Sequence, residues 1–163
     1  MWTRLIVLAA AGALVTGCSG GEPASTTSAV TPSLESVQDL ESQPPPQLNR
    51  ELVAIGAGLY SQFCSSCHGA NLEGTADWQV MNADGSFPPP PQDSSGHTWH
   101  HGDDLLDGII LDGSDFAQSR MPAFEDLLSG NDVLSILEFF KSNWGPQERA
   151  VQWEMTLRER GQA

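Results

Sequence analysis

Residues 61–74 read SQFCSSCHGANLEG, with Cys64 and Cys67 three apart and His68 directly after the second cysteine. Three chemistries use such a pair. A redox dithiol of thioredoxin type sits at the start of a helix inside a βαβ pattern, and no convincing strand run occurs in residues 50–160. Structural zinc wants four ligands, often two cysteine pairs or one pair with spaced histidines. Here His97, His100 and His101 lie about thirty residues on and could complete a set, which leaves that reading open but makes His68 idle. A covalent haem anchor employs all three residues. The thiols add to the two vinyl groups on one porphyrin edge, and the histidine presents an imidazole nitrogen to iron.

The N-terminal flank bears on which thiols are available. MWTRLIVLAAAGALVTGC carries one early charge, Arg4, and an apolar run from Leu5 to Val15. That run is shorter than the ~20 residues a membrane span needs and reads as an export signal over residues 1–17. Its ending, LVTGC, resembles a lipobox, the cleavage motif of bacterial lipoproteins, which implies a lipid on Cys18. Lipid chains contribute about 0.8 kcal/mol per buried CH₂, so several of them hold a protein to a membrane. Residues 18–49 are rich in Ser, Thr, Pro and Gly, bury too little to offset ordering entropy, and read as a tether stiffened at Pro44–Pro46. With Cys18 lipidated, only Cys64 and Cys67 of the three cysteines remain.

The chain has 163 residues and a formal net charge of −14. Such acidity argues against nucleic acid as a partner, since phosphate recognition needs basic patches. It suits solubility, or a redox partner with a basic docking patch. Asp103, Asp104, Asp107, Asp112 and Asp115 gather around one predicted helix.

From the haem motif outward, residues 50–142 resemble class I c-type cytochromes. Asn49 suits a helix cap and Glu51 a first turn, and Leu52, Ile55, Leu59 and Phe63 recur at helical spacing. Gly56 and Tyr60 stand eight and four residues before Cys64, where the family brings its first helix against its last. Near the other end, Ser129 and Asp132 form a capping pair, and Val133, Ile136, Leu137 and Phe140 follow the i, i+3, i+4, i+7 rule. Phe139 stands where the family places an aromatic against the first helix. CHGANLEG resembles the family turn in which Gly69 and Gly74 bend the chain and Leu72 packs on the ring. The resemblance implies an all-α fold, a small helical domain at residues 50–144 wrapped around one covalent haem c held by Cys64 and Cys67. A helical extension is expected at 145–163, with Pro146 at its first position, Trp153 as its anchor, and Glu154 and Arg158 as an i, i+4 pair.

His68 is the expected axial ligand of the iron. By the same resemblance Met121, in SRMPAF, is the second, because the family's ligand methionine commonly precedes proline and lies before the last helix. Thioether ligation raises the potential and suits electron transfer. Met81 lies close after the motif and Met155 in the tail. A histidine sixth ligand, His100 foremost, is the rival, and the residues His97, Trp99, His100 and His101 also suit haem-propionate contacts or a second metal. Pro88–Pro91 favour an extended polyproline conformation and are expected to cover one haem edge. The function implied is single-electron transfer between redox partners outside the cytoplasm, without catalysis. The alternatives are a haem subunit of an oxidase or dehydrogenase complex, a haem or metal-binding module built on His97–His101, or an enzyme of peroxide or gas chemistry at the haem.

Overall fold

The computed structural model describes residues 43–161; the signal, Cys18 and most of the tether lie outside them. Among the described residues every regular element is helical. Five α-helices follow one another: α1 (Arg50–Phe63), the single turn α2 (Ser65–His68), α3 (Asp103–Leu111), α4 (Gly130–Ser142) and α5 (Pro146–Gly161). A 3-10 turn, Thr98–His100, precedes α3. This is the all-α architecture that the sequence predicts.

The start of α1 is fixed by Asn49, whose side-chain oxygen accepts from the backbone N–H groups of Glu51 and Leu52. At α4, Ser129 and Asp132 form a full capping box: each side chain satisfies the other's backbone N–H. Val133, Ile136, Leu137 and Phe140 are all buried, so the predicted stripe of α4 is the core face. Together with Tyr60, Leu72, Leu106, Ile110, Leu128 and Trp144 they form one hydrophobic cluster.

Helices α1 and α4 meet at Gly56. A Cβ on this glycine would stand 1.9 Å from the carbonyl oxygen of Ser135. The absence of a side chain therefore allows the two backbones to approach. One turn later Tyr60, 1% exposed, packs its ring against Phe139 and Phe140 at centroid distances of 5.4 and 5.9 Å. The face of α1 is rotated from the one the apolar spacing suggests. Ile55 is largely exposed, while Gly56 and Tyr60 are buried. A close helix crossing selects a small residue at the contact, which a hydrophobicity count overlooks.

The extension α5 docks back on the domain, but through polar groups. Its fully buried residues are Gln152 and Thr156, and Trp153 is only half-buried, lining a groove with Pro45, Pro46 and Leu48. The expected anchor Trp153 is thus joined by polar contacts that the sequence did not suggest. The physical reason lies at the N-terminus of α3, whose cap residue Gly102 has no side chain to offer. The exposed N–H groups of a helix start need acceptors. Glu159 accepts from Gly102 N at 3.0 Å and Asp104 N at 3.2 Å, and Thr156 Oγ1 accepts from Asp103 N at 3.0 Å. A carboxylate there also complements the helix dipole. Glu154 and Arg158 make the expected pair along α5.

The acidic group around α3 is divided by this docking. Asp103 turns inward: its side chain is 15% exposed, pairs with Lys141 at 2.7 Å, and accepts from Gln152 Nε2 at 2.7 Å. Asp104 lies within 3.5 Å of Arg160. Of the group, Asp112 and Asp115 are exposed and make no ion pair among the described residues. Asp103 is thus part of the fold rather than of a docking surface.

Candidate haem site

Helix α1 ends at Phe63, and Cys64 begins the turn that carries the motif. Cys64 N donates to Tyr60 O, and His68 N donates to Cys64 O at 3.0 Å, so both cysteines and the histidine lie on one continuous helical stretch. Both thiols are free; Cys64 is half-buried and Cys67 is exposed. Burial, and then the neighbouring Cys67, push the Cys64 thiol up to about 11. A redox dithiol works through a depressed thiol pKa, so this direction is opposite to what that reading requires.

After His68 the chain turns through Gly69 and Gly74, both at positive φ, as the sequence predicts. Tyr60 Oη donates to Gly69 O at 2.6 Å and ties the turn to the core; burial holds the phenol in its neutral, donating form. Leu72 is buried in the main cluster. At Gly74 a Cβ would strike the backbone of Pro90 and Pro91, at 2.5 and 2.3 Å. The turn and the polyproline segment are therefore laid directly together, joined by Thr75 N to Pro89 O and Gln92 N to Leu72 O.

This contact has a chemical result that the sequence did not reveal. His68 Nδ1 lies 2.8 Å from the carbonyl oxygen of Pro90. A residue followed by proline keeps a carbonyl with no adjacent N–H competing for position. The bond fixes the proton on Nδ1 and leaves the Nε2 lone pair for a metal, the usual way a ligand histidine is oriented. Burial lowers the His68 pKa, against the opposing effect of the Pro90 carbonyl, which keeps the ring neutral and able to ligate. The only cue in the sequence was the run Pro88–Pro91, read there as a cover. Gln92, whose side chain also reaches His68 Nδ1 at 2.9 Å, had none.

Met121 is half-buried and packs against the same hydrophobic cluster as Cys64. Its N–H donates to Ser119 Oγ, and its carbonyl accepts from Ser114 N. Phe124, three residues on, meets Phe63 edge to face at 6.4 Å, which brings the Met121 loop to the end of α1. Met81 is instead 52% exposed and Met155 lies on α5.

The histidines 97–101 pack against aromatic rings and against one another. His97 stacks on Trp78 at 4.9 Å and meets His101 edge-on, while His100 stacks on Trp99 at 3.7 Å. Among the described residues no group of three or more His, Cys, Asp or Glu side chains is arranged to hold a metal ion. Ring stacking instead places His97 and His100 against aromatic neighbours. His97 Nδ1 and Trp99 Nε1 are buried with no protein partner, which suits hydrogen bonds to a bound group.

A helical domain with its C-x-x-C-H turn against the end of α1, its histidine oriented by a proline carbonyl, and a methionine on the same core is a cytochrome c domain. The donor set fits a covalent haem c: two free thiols, one oriented imidazole and one thioether, with buried donors left over. Residues 51–140 match the family model described as cytochrome c oxidase, cbb3-type, subunit III, and this match spans more than half of the chain. The chain belongs to that family. No curated protein and no solved structure matches the chain. Cytochrome c domains carry haem c, exchange electrons with redox partners and are typically electron carriers; those of this type are usually extracytoplasmic.

Proposed function

We propose that the protein is an exported single-haem cytochrome c, lipid-anchored through Cys18, that carries single electrons between membrane-associated redox partners. The observation that carries this reading is the His68–Pro90 bond, which leaves Nε2 as a prepared metal donor beside two free thiols. Haem c supplies the one-electron couple. Cys64 and Cys67 would hold it through thioethers, and His68 and Met121 would furnish nitrogen and sulfur donors to its iron. His68 is held by the Pro90 carbonyl, and Met121 by the Ser119 hydroxyl and the Ser114 N–H, with Gly113 leaving room beside it because it has no Cβ. Donors fixed in this way change little between oxidation states, and that favours rapid electron exchange rather than substrate chemistry.

The export and the anchor rest on residues 1–18. No described helix is long and apolar enough to cross a membrane. The experiment is acid–acetone extraction with intact mass on the purified protein, alongside metabolic lipid labelling of the parent and of Cys18→Ser. Colour that stays with the chain and labelling lost in Cys18→Ser support the proposal. Extractable haem overturns the haem reading, and labelling retained in Cys18→Ser overturns the anchor.

The family match favours a second reading, a haem subunit fixed in a terminal oxidase. Gentle detergent solubilisation separates the two: a carrier migrates alone, and a subunit migrates with its complex.

A further inference from the structure

Gln92 is only 9% exposed and is held on every side. Its N–H donates to Leu72 O at 2.8 Å and its carbonyl accepts from Trp144 Nε1 at 2.8 Å. Its side-chain amide is fixed between two groups. One end lies 2.9 Å from His68 Nδ1, and the other lies 2.6 Å from the hydroxyl of the buried Thr98.

His68 Nδ1 thus faces two polar atoms, the Pro90 carbonyl and the Gln92 amide. With Nε2 on iron, Nδ1 carries the proton and must donate. An amide nitrogen aimed at that proton sets donor against donor. The oxygen and nitrogen of an amide are told apart by such bonding. Turned end for end, the amide offers Oε1 to Nδ1 and Nε2 to Thr98 Oγ1, and every pair then joins a donor to an acceptor.

We propose that Gln92 is a positioning residue for His68: a second acceptor that shares the Nδ1–H with the Pro90 carbonyl and is kept in that orientation by Thr98. The inference rests on the reading of His68 as an iron ligand. Two acceptors draw more proton density from Nδ1 than one, which makes the imidazole a stronger donor through Nε2. A stronger donor favours ferric iron and lowers the reduction potential. Sequence spacing hides this arrangement, because Gln92 stands twenty-four residues beyond the histidine.

The test is spectroelectrochemical titration of the haem-loaded protein and its variants. Gln92→Leu removes the acceptor at similar size, and the equilibrium for reduction against a fixed reference couple should shift toward the reduced form by about two- to tenfold, the worth of one hydrogen bond. Gln92→Glu keeps an acceptor and should return the potential to the parent value or below it. Thr98→Val should raise it in the same direction as Gln92→Leu. Nuclear Overhauser contacts in the parent ferrous protein supply a check that needs no variant: the Gln92 amide protons should lie against Thr98 and not against the His68 Nδ1 proton. An unchanged potential in Gln92→Leu, equal upward shifts in the Leu and Glu variants, or amide protons facing His68 overturns the inference. A parent chain without attached haem overturns the ligand reading as well, and mass alone distinguishes that case.

Discussion

Gly56 and Ser135 touch through their backbones: a single added carbon on Gly56 would overlap the Ser135 carbonyl at 1.9 Å. Neither partner can yield cheaply, because the obstacle is main chain in the middle of α4. Gly56→Ala should therefore destabilise the protein by about 1–3 kcal/mol or more, as overpacked cores do. Gly58, two residues on, has nothing within 4 Å of its virtual Cβ and is exposed on α1. Gly58→Ala should stabilise by up to about 1 kcal/mol through helix propensity. Denaturant midpoints of the two variants, moving in opposite directions, check the pair; equal shifts would show that the crossing is not this close.

Lys141 and Asp103 are 12% and 15% exposed, so their ion pair is largely removed from water. Lys141→Ala leaves a largely buried carboxylate with the Gln152 amide and, at 3.8 Å, the half-exposed Arg160, and should cost about 3 kcal/mol, the low end for breaking a buried pair. The exposed pair of Arg120 with Asp84, 3.9 Å apart, is the control, and Arg120→Ala should leave the denaturation midpoint in place.

Ligation by Met121 has a spectroscopic signature. The oxidised protein should show the weak far-red band of sulfur-ligated ferric haem. Met121→Ala should remove it and lower the potential, while Met81→Ala leaves both unchanged. Persistence of the band in Met121→Ala would transfer the ligand role to another residue.

His97 and His101 have lowered pKa values, chiefly from burial and further from neighbouring histidines. The folded state then binds protons less tightly than the unfolded chain, so stability rises with pH across the window. This contribution is complete above about pH 6.5, the ordinary histidine value, and is lost as the pH falls through the lowered folded values. Denaturant titrations between pH 7.5 and 5 should show a shallower pH slope for the double variant His97→Gln, His101→Gln. An identical slope would mean that these rings do not gate acid stability.

If electrostatic steering assists docking, its charges are the exposed ones. We expect electron-transfer rates with a basic partner to fall as salt rises, since steering is worth up to ~10–10³-fold at low salt and is screened beyond ~8 Å at physiological ionic strength. Asp112→Asn with Asp115→Asn should flatten that dependence without loss of stability. Stopped-flow rates that are flat or that rise with salt in the parent would show that the acidic surface serves solubility alone.

Helix α4 was legible in its cap and its apolar stripe, because both are local signals. The haem motif and its two glycine turns were legible for the same reason. The face of α1 was misjudged at Ile55, because a backbone contact left no hydrophobic trace. The docking of α5 was foreseen but not its means. Gln152, Thr156 and Glu159 act by completing hydrogen bonds of a helix start some fifty residues earlier, and such complementarity has no period. Pro90 was placed over the haem edge but its bond to His68 was missed, as was Gln92, for a similar reason: only the fold brings them to that ring.

The bonds from Glu159 to Gly102 and Asp104 also predict an order of assembly. A chain emerging from synthesis or export can cap and pack α1 against α4 once residue 142 or so is free. The start of α3 then waits for acceptors that come almost last. The α5 helix closes the structure like a latch, and it should be the first unit to release, with the amides of residues 102–104 exchanging alongside it while those of α4 remain protected.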